Sequence, residues 1–119
     1  MEYSTYSNGK VQVLALFGRF DGSTMPPIRR WIEDATSIHP AYIVINLDQV
    51  NFLDSSALAT LVFGLKRSLQ FKGSLHLCCL QQPIRILFEL TRMDRVFEIF
   101  PREDDAINAF NSIDVVSQS

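Results

Sequence analysis

The chain has 119 residues, 47% of them hydrophobic, which is material for one compact core and too little for a second of similar size. Eleven basic and 13 acidic residues give a formal net charge of −2, and the signs are interspersed. That argues against a nucleic-acid protein, which carries a basic face.

No apolar run approaches the roughly 18–20 residues of a membrane span. The start, MEYSTYSNGK, lacks the layout of a signal peptide. A cytoplasmic protein without a membrane span is expected, as one domain over 1–119 with its core at about 11–113.

Met1–Asn8 is polar and is expected to fray. Asn8-Gly9 is nevertheless a turn dipeptide, so a short strand around Glu2–Tyr6 could pair with the next as a hairpin. VQVLALFGRFD, from Val11, reads as a strand with Val11, Val13, Ala15 and Phe17 on one face. Gly18 would relieve crowding or admit a bulge near its end. Asp21-Gly22-Ser23-Thr24 is a turn cluster. Pro26 and Pro27 suit the start of a helix, where a missing N–H costs nothing. Ile28, Trp31, Ile32 and Ala35 then form its apolar stripe, with Arg29, Arg30, Glu33 and Asp34 on the solvated side. Pro40 disfavours helix in His39 and sets the end.

Tyr42–Leu47, YIVINL, has the composition of a central strand covered on both faces. Asp48–Asn51 is expected to turn the chain. Leu58, Leu61, Val62, Leu65 and Leu69 then recur on one face of a helix expected from Ser55 to about Gln70. Asp54 is its N-cap, accepting from free N–H groups of the first turn. Lys72-Gly73 ends it, and Ser74–Leu80 is another strand. Tyr42–Leu80 is therefore a βαβ unit with parallel strands and a right-handed crossover.

Pro83 starts a further helix with Ile84, Leu87, Phe88 and Thr91 on one side. Arg92–Arg95 turns, and Val96–Phe100 is a short strand. Glu103, Asp104 and Asp105 suit the positive end of a last helix carrying Ala106, Ile107 and Phe110. The tail after Ile113 is polar and expected to be disordered. The element order fits an α/β sandwich around one mixed sheet.

Enzyme signals are sparse. Five glycines stand singly, none in a phosphate-loop spacing. His39 and His76 are far apart, and Cys78 and Cys79 are adjacent rather than spaced, so neither metal nor cofactor is expected. On a strand the two cysteines should point to opposite faces and act as small buried hydrophobes. A triad can be written from Ser55, His76 and Asp54, yet nothing orients a histidine between the other two. No catalytic residue is assigned.

Asp54-Ser55-Ser56 can be read as a helix cap alone. It can also be read as a modification site. A phosphoryl group on a first-turn serine would sit at the positive end of the helix dipole beside unpaired N–H groups. It would change the surface a partner reads by charge and bulk, with no need to rearrange the fold.

At VINLDQVNFLDSSALATLV the sequence resembles the STAS domain of anti-sigma factor antagonists. In that family an apolar strand leads through a short loop to aspartate-serine-serine or aspartate-serine-threonine, then glycine-leucine and an apolar helix. LFGRFD at Leu16–Asp21 looks like the family's strand end, and PIRILFELTRMDRVFEIF at Pro83–Phe100 like its late helix and last strand.

The resemblance implies a STAS-type α/β domain with a mixed sheet of about four to five strands and about four helices. It implies a phosphorylatable module in a partner-switching pathway that regulates transcription. The phosphoacceptor would be Ser55, and Asp21, Asp54, Ser56 and Ala57 would belong to the partner-binding surface. The unphosphorylated form would bind a serine kinase of the histidine-kinase-like ATPase fold that is also the anti-sigma factor. A PP2C-type phosphatase would reset it. Ala57 stands where the family usually has glycine, and Arg19 where it commonly has an acid. The other readings are a STAS module that binds a non-sigma partner or a small ligand without phosphorylation, and a small hydrolase using Ser55.

Overall fold

The computed structural model describes the backbone of residues 1–118 and the side chains of residues 1–111. Five strands form one sheet in the order β1-β2-β3-β4-β5. β1 (Glu2–Asn8) runs antiparallel to β2 (Val11–Phe20). The joins from β2 to β3 (Tyr42–Leu53), to β4 (Ser74–Cys78) and to β5 (Glu98–Phe100) are all parallel. Helices α1 (Met25–Ala35), α2 (Ser55–Gln70) and α3 (Gln82–Leu90) cover one face, and α4 (Glu103–Gln118) packs on the other. A 3-10 turn, Met93–Arg95, links α3 to β5.

The central parallel strands β2, β3 and β4 are buried on both sides because parallel crossovers put helices on the faces, while β1 at the edge is exposed along its whole length. Leu14, Leu16, Ile43, Ile45, Leu75 and Leu77 point into the larger core under α1, α2 and α3. Val11, Val13, Val44 and Cys78 point the other way, into a smaller core against Ala106, Ile107 and Phe110 of α4. β2 thus differs from the one-faced strand read from its pattern. Val11 and Val13 share a face as expected, but Leu14 and Leu16 are buried opposite them, and Phe17 is exposed. The register shifts between Ala15 and Phe17 and again between Gly18 and Arg19. Gly18 takes φ +94° there, a conformation that glycine adopts without a Cβ penalty.

Further boundaries differ from the sequence reading: β4 stops at Cys78 rather than Leu80, and β5 begins at Glu98 rather than Val96, which instead closes the 3-10 turn. The N-terminal segment does not fray, since β1 pairs residue for residue with β2 from Glu2 opposite Phe17 to Asn8 opposite Val11. β3 does not turn at Asp48 but continues to Leu53, because the irregular end of β2 still pairs with it through Phe20 and Leu53. α4 runs on to Gln118 past the expected tail, in a stretch free of glycine and proline; the side chains there lie outside the described residues. The helix boundaries of α2 are those read from its pattern.

Close approaches fix how α2 sits. A β-carbon on Gly64 would stand 2.9 Å from Leu75 Cδ1 and 3.1 Å from Ile32 Cδ1, so glycine lets α2 lie close against both β4 and α1. A β-carbon on Gly73 would stand 1.8 Å from the Ala41 carbonyl oxygen, where no side chain fits. The turn after α2 is thereby pinned to the start of β3. At the far end α4 is tied down by Glu103, whose carboxylate accepts from the Tyr6 hydroxyl at 2.5 Å and from Asn46 Nδ2 at 3.0 Å.

Candidate functional site

β2 and β3 are parallel neighbours, so their C-terminal ends deliver two loops side by side. One is Asp21–Thr24, leading into α1. The other is the Leu53–Ser55 step into α2. Asp54 is extended, with φ −107° and ψ −176°, and caps α2. Its Oδ1 accepts from the Ala57 N–H at 2.9 Å, and its Oδ2 accepts from the Gly22 N–H at 3.1 Å. The Asp54 N–H donates to the Phe20 carbonyl at 3.4 Å. One residue thus satisfies a first-turn donor of α2 and holds the neighbouring loop against it.

Ser55 and Ser56 are both exposed on the first turn. Their N–H groups precede the first intrahelical bond, from the Leu58 N–H to the Asp54 carbonyl at 2.9 Å. Ser56 leans toward the other loop, with its Oγ 3.3 Å from where a Gly22 β-carbon would stand. Ser55 lines a groove along α2. Ala57 is fully buried and reaches the site only through the N–H that Asp54 accepts.

Asp21 organises its own loop. Its Oδ1 accepts from the Ser23 hydroxyl at 2.7 Å, the Ser23 N–H at 3.0 Å and the Thr24 N–H at 3.1 Å. The Ser23 hydroxyl bond is the largest cause holding this carboxyl below the usual aspartate range. Thr24 Oγ1 donates to the Arg19 carbonyl at 2.9 Å. Arg19 lies beside both, with its Nε 3.4 Å from Asp21 Oδ2 and its guanidinium 3.9 Å above the Phe52 ring. Asp21, Asp54, Ser56 and the Ala57 backbone therefore meet at one end of the molecule.

The groove beginning at Ser55 has a volume of about 560 Å³ and is floored by Leu58, Val62, Phe63 and Met93. Sequence reading missed Gly22 and Met93 as members of this region. Asp-Gly-Ser-Thr announces an Asx-type turn, but nothing local signals that Gly22 meets a residue 32 positions later.

His76 is not part of this site. Its Nδ1 donates to the Ala106 carbonyl at 3.0 Å, and its ring stacks on Phe110 with centroids 3.8 Å apart. It faces α4, while its neighbours Leu75 and Leu77 face the α2 side, so the sheet separates it from Ser55. The Ser55, His76 and Asp54 triad is excluded on that geometry. Burial, the largest cause, pushes the His76 imidazole below its ordinary pKa.

The cysteines depart from the expected opposite-face placement. β4 ends at Cys78, and Cys79 takes φ +65°, so that Cys79 packs against the same smaller core that buries Cys78. Cys78 is buried and Cys79 half-buried, and both are free thiols. Burial is the main cause that pushes both thiols up.

Residues 2–106 match the family model of the STAS domain, and the chain belongs to that family. The anti-sigma F factor antagonist of Paenibacillus polymyxa is 29% identical over 108 residues, covering 90% of each chain. An anti-sigma factor antagonist from Mycobacterium paratuberculosis matches with a TM-score of 0.81 at 26% identity, over 91% of this chain and 92% of that one. The Bacillus cell fate determinant SpoIIAA, solved in its phosphorylated form, has the same fold with a TM-score of 0.71 at 20% identity, over 92% of this chain and 99% of its own. No helix among the described residues is long and apolar enough to cross a membrane.

Proposed function

We propose that this STAS domain is an anti-sigma factor antagonist, a binding module switched by phosphorylation of Ser55. Its partner is a serine kinase of the histidine-kinase-like ATPase fold that is also the anti-sigma factor. The unphosphorylated form binds the kinase and frees the sigma factor, and a PP2C-type phosphatase restores it. The work is done in the cytoplasm, by binding rather than by turnover.

The observation that carries this reading is the placement of Ser55. It is exposed at the first position of α2, where its hydroxyl is open to a kinase. Asp54 is committed to the Ala57 and Gly22 N–H groups, which holds the acceptor on a rigid frame. A phosphoryl group adds about −1.5 to −2 charge. The helix dipole favours that charge locally, so α2 stays folded while the surface offered to the kinase gains negative charge and bulk. The kinship to proteins named anti-sigma factor antagonists gives the partner class.

The test is phosphate transfer from ATP by the kinase, followed by peptide mass spectrometry and binding assays. Ser55→Ala takes up no phosphate and keeps its affinity for the kinase. Ser56→Ala is still modified. Ser55→Asp binds weakly. Equal affinity of Ser55→Ala and Ser55→Asp for the kinase sinks the reading.

A further inference from the structure

We infer that the groove along α2 from Ser55 to Lys66 is the docking site for an amphipathic helix of the partner, apolar on one face and acidic on its flanks. This rests on reading Ser55 as the phosphoacceptor that governs partner binding.

The floor is apolar and open. Leu58, Val62 and Phe63 are only partly buried, Met93 joins them from the 3-10 turn, and no carboxylate among the described residues lines the groove. The charges around that floor are mostly basic. Lys66 closes the far end and is exposed. The Arg29 guanidinium lies 3.9 Å from the Phe63 ring centroid and that of Arg67 lies 5.8 Å from it. Arg92 and Arg95, both exposed, flank Met93 in the chain. The opposing carboxylates among the described residues include Glu33, 3.7 Å from Arg29, the exposed Asp94, and Asp54 beside Ser55, whose two oxygens are engaged by the Ala57 and Gly22 N–H groups. An apolar floor under a basic rim complements a helix with apolar anchors and acidic flanks.

The length fits as well. Ser55 and Lys66 are eleven positions apart on α2, about 16 Å of helix. That is room for anchors at i, i+3 or i+4, and i+7 of a bound helix. Ser55 stands at the mouth, so its phosphoryl group meets the acidic flank of the occupant. Like-charge repulsion then expels the partner with no change of fold.

The probe is a yeast-displayed library of helical peptides of about 15 residues, with leucine at i, i+3, i+4 and i+7 and random flanks. It is sorted against the unphosphorylated full chain. The enriched peptides are expected to be acidic and to lose affinity as salt is raised. Lys66→Glu, at an exposed position, weakens them about tenfold, the equivalent of about 1.4 kcal/mol for reversing a rim charge. Val62→Glu abolishes binding; should that variant misfold by circular dichroism, Lys66→Glu decides alone.

Enrichment of neutral or basic peptides, no enrichment at all, or acidic peptides indifferent to Lys66→Glu would overturn the inference. The sort needs no phosphate, so the two readings fail separately. Acidic peptides that bind a protein no kinase modifies uphold the groove and sink the switch. A Ser55 that is phosphorylated beside a groove that selects nothing acidic does the reverse.

Discussion

Asp54 Oδ2 accepts the Gly22 N–H at 3.1 Å, which ties the cap of α2 to a loop 32 residues earlier. The same carboxylate caps the Ala57 N–H through its other oxygen. Asp54→Ala loses both contacts. The cap is worth about 1–2 kcal/mol, and the tie to Gly22 about 1 kcal/mol more. Asp54→Asn keeps an acceptor for the cap and is expected to cost less than half as much. Urea unfolding midpoints of the two variants separate them; equal losses would show that the acceptor oxygen is not what matters.

Ala57 stands where the family usually has glycine, and its surroundings say what restoring glycine would do. The residue is helical and its methyl is fully buried under the first turn of α2. Ala57→Gly gives up about 1 kcal/mol of helix propensity and the packing of one buried carbon, about 0.8 kcal/mol. The variant should be less stable than the native protein by thermal unfolding. A more stable variant would mean that the first turn is strained by alanine.

Arg19 is the second departure from the family pattern. Its side chain is 60% exposed, and its pairing with Asp21 is at the surface. Arg19→Glu should therefore leave the unfolding midpoint nearly unchanged. Its effect belongs to recognition: the cation above Phe52 is replaced by an anion beside Asp21, and the association rate with a charged partner shifts in a salt-dependent way. Stopped-flow association at two salt concentrations reads this directly. A large drop in stability with no change in rate would place Arg19 in the scaffold instead.

The legible part of this protein was what local pattern controls. The apolar spacing from Leu58 to Leu69, with Asp54 ahead and Lys72-Gly73 behind, marked α2 to the residue. The βαβ order and the candidate loop followed from it. What was not legible depended on partners distant in the chain. Asp48-Gln49-Val50-Asn51 has turn composition, yet it stays in β3 because β2 offers hydrogen bonds as far as Phe20. Cys78 and Cys79 looked like alternating strand residues, and only the end of β4 and the left-handed backbone of Cys79 put both against the smaller core. Asp54 was recognisable as a cap, but not as the tie to Gly22.

His76 gives a prediction that depends on pH. It sits 4% exposed between β4 and α4, donates through Nδ1 to Ala106 and stacks on Phe110. Burial keeps the folded imidazole below its ordinary pKa, against smaller opposing effects of the Ala106 bond and the Glu98 charge. The unfolded chain, titrating near the ordinary value of about 6.5, takes up a proton first as pH falls. Stability is therefore undiminished above that value and declines as pH drops from there toward the lower folded value. His76→Phe can keep the stack on Phe110 and cannot titrate. Chemical unfolding of both proteins from about pH 7.5 to 5 should give a difference that changes below about pH 6.5, in the direction of lost native stability. His39 is retained in both and cancels from that difference. Parallel pH profiles would show that the α4 face admits a proton on His76 as readily as water does.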